Sequence, residues 1–541
     1  MTIVLNGTWT GTTVTLQRSI GNTGVWEDVT GTGPWTANVT TSLTDGLDNQ
    51  TVAYRLGIKT GMYVGADTVT CTLSIATGSA SGICRITGYT NTTSVSAEVL
   101  DALGTTNPTD LWKKSEWSNT DGWPTSVAIH EGRLWWAGKS KLWGSISDAY
   151  DSFSPDETGD SGVISRSIGA GPVDTVCWLS SNQRLLLGTQ GTEYSARAST
   201  LDEPLTPTAF VMRPASSQGS ALADTVKIDN RVVFIQRNGS KVYELSFDTR
   251  WYDYSPKDLT AIVPEIGYPS IVRIAVQRQP DTRVHCVRSD GSVGLMVQDK
   301  NEDMTCWVDI ETDGDVEDVV VLPAPNGLLD DYVYYVVKRT INGSTVRYLE
   351  KWAQQDECIG GPLSKQADSF VVKTPASTTI SGLSHLEGEK VVVWADGEDI
   401  GTEDDYTQTY TVSGGAITVG QTVTQCVVGL PYTARFKSMK IGSPTQDVSQ
   451  VLNHYKNVNH IGFVMANTHS KGLRYGPDFD VLDALPQNER GVPVGEQVYD
   501  QYDEQVIEFP GTWNTDARVC LQAQAPRPCT LLALDLALEM P

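Results

Sequence analysis

The chain has 541 residues, enough for two to four domains, and its 49 Gly, 15 Trp and 20 Tyr together with abundant Thr and Val favour an all-β protein. It carries 40 basic and 65 acidic side chains, and a net charge of −25 argues against a protein that grips nucleic acid, because phosphate binding requires Lys and Arg. The excess of acid favours either simple solubility or a surface that must not adhere to a polyanion passing nearby.

Residues 1–105 are predicted to form a small β module, either a sandwich or a barrel. Residues 13–19 and 54–61 alternate apolar and polar side chains, which is the period of a half-buried strand. Residues 67–100 read as three strands, and the last two form a hairpin with its loop at Thr90–Thr93. Residues 106–125, rich in Asn, Asp, Trp and Pro, are predicted to be a linker.

Residues 126–360 repeat a pattern of strand, tight polar turn and strand. Turn centres such as Asn238-Gly239, Asp290-Gly291 and Asn342-Gly343 tolerate positive φ at both central positions, as a two-residue hairpin requires. A spacing of roughly 45–55 residues predicts a β-propeller core with one blade per repeat. A weaker unit near 303–323 makes the expected number of blades five to seven. The five clear copies are residues 130–147, 183–196, 231–247, 283–299 and 331–352.

The remaining chain is predicted to hold further β modules. Residues 361–437 contain short strands separated by Asp396-Gly397 and Gly414-Gly415, which predicts an inserted β-sandwich. Residues 438–541 contain strand-turn-strand segments around a polar loop. We expect these C-terminal strands to complete either the first module or the propeller. The predicted fold class is therefore all-β, with a β-propeller core and additional small sandwich or barrel modules.

Two acidic segments are the strongest candidates for chemistry. Residues 148–162 and 311–318 each hold several carboxylates, which suit catalysis in pairs or calcium binding in an ordered loop. Neither follows the order of ligands in a calcium loop, and turn Asp residues usually bond their own backbone. We assign no catalytic, cofactor or metal residue. The acidic residues of these two loops that stand out are Asp156, Glu157, Asp160, Asp313, Asp315 and Glu317.

The other reactive residues favour a structural interpretation. Nine scattered cysteines lack metal-site spacing, and most lie in apolar strand runs, which predicts buried free thiols and synthesis in a reducing cytoplasm. The N-terminus lacks the features of a signal peptide. The Trp-rich stretch that contains Trp112, Trp117, Trp123, Trp135, Trp136 and Trp143 is expected to pack between sheets, or, if exposed, to stack on sugars or bases.

A series of short strings within residues 126–350 resembles the tail nozzle proteins (tail tubular protein B type) of short-tailed bacteriophages. The series begins with an HxGRLWxAG strand, a WGS strand, a D-x-F turn and a strand ending LLLGTxGxE. It continues with LDEPLTPTAF, SSQGSA, RVVFIQRNGSKVYELSFD and DYSPKDLT. The segments HLEGEKVVVWADG and VVGLPY are similar to the sandwich that follows in such proteins. The resemblance covers roughly residues 80–440.

This resemblance implies a non-enzymatic virion protein at the distal end of a phage tail, made in the host cytoplasm. It implies a homohexameric ring that docks on a tail adaptor protein, neighbours the tail fibres and contacts the host surface. Viral DNA passes through its lumen without specific binding, and six copies at −25 each give a formal charge of −150 that repels the duplex. The terminal β modules are expected to make the ring and dock to the adaptor. Nozzle proteins usually carry a longer N-terminal platform than this chain, which leaves open which face docks and whether a separate protein supplies the missing part. On this resemblance, the acidic loops at Asp156, Glu157, Asp160, Asp313, Asp315 and Glu317 are the candidates for a channel or gate.

Two other functions remain open on the sequence. A receptor-binding or fibre-docking tail protein predicts a monomer or trimer with Trp and Tyr exposed on one face. A polysaccharide depolymerase predicts a cleft with two carboxylates about 5–10 Å apart and aromatic platforms beside them.

Overall fold

The computed structural model describes residues 1–21, 23–43, 52–74, 82–101, 103, 112, 114–119, 121–154, 157–169, 175–198, 203–299, 302, 304–325, 329–401, 409–442, 452–486, 488–489, 492–493 and 497–540. The chain divides into two compact units, Met1–Ser115 and Glu116–Pro541. The protein is all-β, as predicted, and the helical segments among its described residues are three 3-10 turns at Pro264–Gly267, Gln355–Cys358 and Ser384–Leu386. Across the described residues, no helix is long and apolar enough to cross a bilayer.

The first unit is a sandwich of two three-stranded antiparallel sheets rather than a barrel. The strand orders are β4-β1-β6 and β3-β2-β5, and the core between them contains Ile3, Leu5, Val14 and Leu16. A separate two-stranded hairpin, β7–β8, turns at residues 92–93 as the sequence predicts. The strands are β1 (Thr2–Thr8), β2 (Val14–Ile20), β3 (Glu27–Asp28), β4 (Val39–Ser42), β5 (Val52–Ile58), β6 (Thr68–Ser74), β7 (Ile83–Asn91) and β8 (Ser94–Asp101).

The second unit begins with five consecutive antiparallel sheets, here called the stacked run. In each of its sheets the strands follow one another in chain order. The first sheet is β9 (Ser126–His130), β10 (Arg133–Gly138), β11 (Lys141–Gly144) and β12 (Ile164–Ser167); the second is β13 (Val176–Ser181), β14 (Leu185–Thr189), β15 (Glu193–Arg197) and β16 (Val211–Ser216); the third is β17 (Val226–Ile228), β18 (Arg231–Ile235), β19 (Val242–Asp248) and β20 (Asp253–Asp258); the fourth is β21 (Ile271–Gln277), β22 (Thr282–Arg288), β23 (Val293–Asp299) and β24 (Met304–Ile310); the fifth is β25 (Asp315–Leu322), β26 (Tyr332–Ile341) and β27 (Ser344–Lys351).

Each pair of consecutive sheets in the stacked run shares a separate hydrophobic core. Trp135 of the first sheet packs with Leu187 of the second, and Trp178 of the second packs with Phe234 of the third. Similar cores join the third sheet to the fourth and the fourth to the fifth. The second, third and fourth sheets are therefore buried on both faces, which explains why their strands read as continuous apolar runs rather than alternating ones.

The hairpins predicted in this region are present, but not all have two-residue turns. Asn342 and Gly343 both have positive φ, and Ile341 pairs directly with Ser344, so this turn has the predicted form. At 238–239 and 290–291 only the glycine has positive φ, and the loops are longer. An Asn-Gly or Asp-Gly pair thus locates a turn, while the residues around it decide the loop length.

The weaker unit at 303–323 is not a hairpin, and this expectation was wrong. β24 is the last strand of the fourth sheet and β25 is the first strand of the fifth, so the segment crosses from one sheet to the next. Both strands are regular and the turn residues lie between them, so the local pattern is that of a hairpin although the partners differ.

A β-sandwich follows the stacked run, where the inserted sandwich was predicted. Its core includes Ile380, Val393, Ile417 and Val428. One sheet has the order β28-β34-β30-β31 with β32 also on β30, and the other is β29-β33. The strands are β28 (Asp368–Lys373), β29 (Ser377–Ser381), β30 (Lys390–Ala395), β31 (Glu398–Asp399), β32 (Tyr410–Thr411), β33 (Ala416–Val423) and β34 (Cys426–Leu430).

The C-terminal strands pair mainly with one another. Their two larger sheets, β35-β42-β37-β38 and β41-β36-β43, enclose a core that includes Phe463, Tyr475 and Leu521. Within the described residues of the second unit, the sheet partners are strands of the same segment together with β35, and none belongs to the stacked run. The strands are β35 (Thr433–Lys437), β36 (Asn457–His469), β37 (Leu473–Asp478), β38 (Val481–Ala484), β39 (Asn488–Glu489), β40 (Val492–Pro493), β41 (Val498–Glu508), β42 (Cys520–Gln524) and β43 (Thr530–Glu539).

Candidate functional site

The acidic residues predicted for a channel or gate fall into two groups on different sheets. Asp156 lies outside the described residues. Glu157 and Asp160 are exposed in the connection between β11 and β12 of the first sheet. Glu157 accepts a hydrogen bond from the Ser161 hydroxyl at 3.4 Å, and Asp160 accepts one from the Thr208 hydroxyl at 2.9 Å. Both carboxylates thus help to hold the long loops of the first two sheets.

The second acidic group belongs to the fifth sheet, and two of its members lie on a strand rather than in a loop. Asp315 and Glu317 are on β25, where Asp315 pairs with Lys338 at 2.9 Å and Glu317 forms a two-pronged pair with Arg347 at 2.6 and 3.0 Å. The hydrogen bond from Arg347 lowers the pKa of Glu317. Asp313 precedes the strand, and its side chain is exposed. These carboxylates are acidic but largely charge-paired.

Several residues of the strings that resemble nozzle proteins lie in the interior of the stacked run. In the HxGRLWxAG string, Arg133 is 2% exposed and donates to the main-chain oxygens of Ser145, Asp160 and Gly162, closing the loop between β11 and β12. A Cβ on Gly138 would lie 2.8 Å from Pro124 Cα, so only glycine permits this contact.

The LLLGTxGxE and SSQGSA strings meet at the junction of the second and third sheets. Glu193 is fully buried and accepts a hydrogen bond from the Ser220 hydroxyl at 2.8 Å. Burial raises the pKa of this carboxyl. Ser220 also donates its main-chain N–H to the Thr189 oxygen at 2.8 Å. The glutamate therefore anchors the start of one sheet to the sheet before it.

A main-chain hydrogen bond recurs between consecutive sheets of the stacked run. In each case a carbonyl at or beside the turn between a sheet's second and third strands accepts from an N–H at the start of the next sheet. The distances lie between 2.7 and 2.9 Å. Because these bonds use only the main chain, they show no residue-type signal in the sequence. The four bonds run from Val176 to Lys139, from Ser220 to Thr189, from Ile271 to Gly239 and from Val316 to Gly291.

A buried ionic cluster that the sequence analysis missed ties the fifth sheet to the sandwich. Arg339 is 1% exposed and donates to Glu350 of β27 at 2.7 and 2.9 Å and to Asp368 of β28 at 3.2 Å. A signal for it exists, because Arg339 continues the alternation of buried positions through Val333, Tyr335 and Val337. A charged residue at a position where the alternation of the strand places buried side chains indicates an enclosed ion pair.

A concavity of about 350 Å³ is lined by residues of the first three sheets. It contains His130, Glu131, Arg184 and Glu203. His130 is buried, which lowers the pKa of its imidazole and keeps it neutral, and its Nδ1 contacts the Ser181 hydroxyl at 2.9 Å. Glu131 accepts the Leu205 N–H, while Arg184 bonds Asp253 at 2.9 Å. The polar groups are thus largely committed to protein partners.

The cysteines and tryptophans divide between the interior and the surface. All nine thiols are free, and four are buried, which confirms the expectation for those four, whereas Cys306 is exposed. Trp135 is fully buried between sheets, while Trp112 and Trp123 are 69% and 59% exposed. Trp117 contacts Trp136, Trp143 and Phe153 edge-on at 5.6–5.9 Å on the outer side of the first sheet.

In the described part of the chain, no cluster of His, Cys, Asp and Glu side chains is arranged to hold a metal ion.

Comparisons with known proteins add no family. No protein-family model and no curated protein matches the chain. Among solved structures, a protein of Bacteroides fragilis named as exported is 12% identical, with a TM-score of 0.22, over 41% of this chain and 67% of its own. A bifunctional GH43-CE protein of Bacteroides eggerthii is 9% identical, also with a TM-score of 0.22, over 74% of this chain and 62% of its own. At these scores neither likeness bears on function.

Proposed function

We propose that this protein is a structural component of a bacteriophage tail, forming the nozzle ring through which the genome leaves the particle. The observation that carries the proposal is the position of the strings that resemble nozzle proteins. Arg133, Gly138, Glu193 and Ser220 join loops and sheets inside the stacked run, and the recurring main-chain bond joins each sheet to the next. Proteins that share these strings would share a rigid scaffold, which is what a channel wall requires.

The stacked run is, on this proposal, five blades of an open β-propeller. Three features support it: meanders in chain order, four-stranded in the first four sheets and three-stranded in the fifth; a hydrophobic core between every consecutive pair; and contacts between the first strands of three of the four neighbouring pairs, β9 with β13, β17 with β21 and β21 with β25. In a propeller the first strand of each blade lies nearest the axis, so the exposed acidic residues of β25 would face inward.

Assembly and DNA passage follow from charge and symmetry. A ring of identical chains requires a heterologous interface, in which one patch meets a different patch on the neighbour. A ring of six would carry −150, and a duct with excess acid lets the phosphate backbone slide instead of binding. The partners on this proposal are further copies of the chain, the tail adaptor, the tail fibres and the passing duplex.

The test is the oligomeric state of the purified protein, alone and mixed with a candidate tail adaptor, by mass photometry and negative-stain imaging. A ring with an open centre, formed alone or on the adaptor, is the expected result. A monomer or trimer that ignores the adaptor and instead binds or cleaves host polysaccharide would overturn the proposal and favour a receptor-binding protein or a depolymerase. A mixture with bovine serum albumin in place of the adaptor controls for crowding.

A further inference from the structure

The β7–β8 hairpin stands apart from the other large elements of the protein. Its two strands pair with each other through Cys84–Val99, Ile86–Ala97 and Tyr89–Val95, and among the described residues neither strand has a second neighbour. An isolated two-stranded hairpin is marginally stable in water, and it gains stability from further strands or from packing on an apolar surface. Its two outer edges therefore present unpaired main-chain donors and acceptors.

The register of the hairpin separates apolar from polar side chains. Since β8 alternates without a bulge from Ser94 to Val99, Val95, Ala97 and Val99 lie on one face. Their cross-strand partners Tyr89, Ile86 and Cys84 share that face, here called the apolar face of the hairpin. The opposite face carries Arg85–Glu98 and Gly88–Ser96.

The apolar face of the hairpin is open to solvent. Ile86 is 66% exposed, Tyr89 72%, Val95 47% and Val99 56%. Four large apolar side chains in one row on a ribbon of one nine-residue and one eight-residue strand form a contiguous patch, and such patches mark contact surfaces. A binding partner for this hairpin has to satisfy both the apolar row and the free edges.

The polar face identifies which partner fits. Arg85 Nη1 lies 3.7 Å from Glu98 Oε2, and both side chains are more than half exposed, so each has room for a second counter-charge. If another copy of β7 is added at the free edge of β8, its Arg85 comes to lie beside Glu98, and positive and negative charges alternate along the sheet. The apolar row continues in the same way on the other face. A second copy of this chain therefore matches the edge, the apolar row and the charges together.

We propose that the β7–β8 hairpins of neighbouring copies pair edge to edge, β8 of one copy with β7 of the next, to form a continuous antiparallel β-belt. The contact is heterologous, and it forms a ring when the rotation between successive copies closes on itself. This inference rests on the proposed ring-forming function and names the surface by which neighbouring copies meet.

The decisive experiment exchanges charges between copies. Arg85→Glu gives an acidic hairpin and Glu98→Arg a basic one, and each variant alone has like charges both within and between copies. We expect each to associate roughly tenfold more weakly than the unmodified chain, as repulsive cross-strand pairs accumulate around the ring. Mixing the two variants restores opposite charges between copies but not within them. Recovery of assembly on mixing, measured by mass photometry, is the expected result, whereas no recovery would overturn the belt.

A cross-link gives a readout that does not depend on the strength of assembly. In a Cys84→Ser background, the Arg85→Cys chain and the Glu98→Cys chain are mixed and oxidised mildly. We expect a disulfide-linked dimer containing one of each chain, at several times the yield from either chain alone. The matched control is Leu222→Cys mixed with Ile262→Cys, two residues 64% and 95% exposed outside the hairpin. Equal yields in all mixtures would refute the pairing.

The two proposals fail in different ways. Rings that form on the adaptor but ignore both charge variants and give no specific cross-link would refute the belt and leave the nozzle in place. A specific cross-link without rings under any condition would keep the pairing and refute the nozzle. Insertion of the hairpin into phospholipid vesicles, measured by Tyr89→Trp fluorescence, in the absence of cross-linking would assign the apolar face of the hairpin to a membrane instead of a second copy.

Discussion

The stacked run and the β7–β8 hairpin are built from similar strands but differ in what covers them. Val232, Phe234 and Leu245 in the third sheet are fully buried, and both faces of that sheet carry a core. Ile86 and Val99 in the hairpin are more than half exposed. The alternation of apolar residues is clearer in the hairpin than in the run. In this protein, alternating apolar and polar residues indicate a strand with one apolar face that no other sheet covers. A continuous apolar run indicates a strand that is buried on both faces.

This difference predicts where the protein resists change. Substitutions inside the run should cost stability because each sheet is held by its neighbours, whereas substitutions on the hairpin should alter association and leave unfolding nearly unchanged. The following predictions test this contrast, from the largest expected effect to the smallest.

Trp135→Ala should lower the free energy of unfolding by about 3–5 kcal/mol, because it opens a cavity between the first and second sheets. Urea denaturation followed by circular dichroism measures the change. The matched control is Trp251→Ala, in which the side chain removed is 77% exposed, and it should cost no more than about 0.5 kcal/mol. Equal effects would contradict a tightly packed run.

Arg339→Met should cost about 3–5 kcal/mol, because it leaves the carboxylates of Glu350 and Asp368 enclosed without a counter-charge. Arg347→Met, on the neighbouring strand of the same sheet, removes an exposed pair with Glu317 and should cost at most about 1 kcal/mol. Thermal unfolding of both variants in parallel compares them. A larger loss for Arg347→Met would show that the enclosed cluster does not hold the sandwich to the run.

Gly291→Ala should cost about 2–4 kcal/mol. The residue has φ of +85°, and an added Cβ would lie 2.5 Å from Asp315 Cα at the start of the next sheet. Gly343→Ala has a similar φ of +75° with nothing within 4 Å, so it should show only the backbone cost of about 1–2 kcal/mol. The difference between the two denaturation midpoints isolates the inter-sheet contact, and its absence would argue against that contact.

Lowering the pH should reduce the free energy of unfolding because of His285. Burial lowers the pKa of this imidazole to about 3, and its Nδ1 lies 2.6 Å from the Tyr335 hydroxyl. The unfolded chain takes up a proton below its ordinary pKa of 6.5 while the folded chain does not, so stability falls as the pH drops from about 6.5 towards 3. At pH 5 the loss is about 2 kcal/mol. His285→Gln should flatten this slope between pH 7 and pH 5, as measured by urea denaturation at a series of pH values.

Ile86→Thr on the hairpin should change the free energy of unfolding by no more than about 0.5 kcal/mol, since the side chain is already in water. The same substitution should weaken association between copies. Denaturation and mass photometry on one preparation measure both quantities. A loss of several kcal/mol would show that the hairpin packs as a core element.

Local sequence patterns identified the all-β class and the hairpin positions because each depends on residues close in sequence. Asn342-Gly343 predicted its turn correctly for this reason. The partners of β24 and β25 were not predictable in the same way, since a hairpin and a crossing between sheets look alike over twenty residues. The link from Arg339 to Asp368 spans 29 residues and two modules. Its one signal in the sequence is that Arg339 occupies a buried position in the alternation of its strand. The main-chain bonds between sheets have no residue signature at all.

Those main-chain bonds bear on how the protein is made. The carbonyl that receives each new sheet lies at or beside a turn completed earlier in the chain, as Gly239 does for Ile271 and Gly291 for Val316. Every closing contact therefore joins a segment leaving the ribosome to one that has already left it. The run can grow in the order of translation, one sheet at a time, without waiting for the C-terminus. A long β-protein that folds in this way covers the apolar face of each sheet soon after it is synthesised.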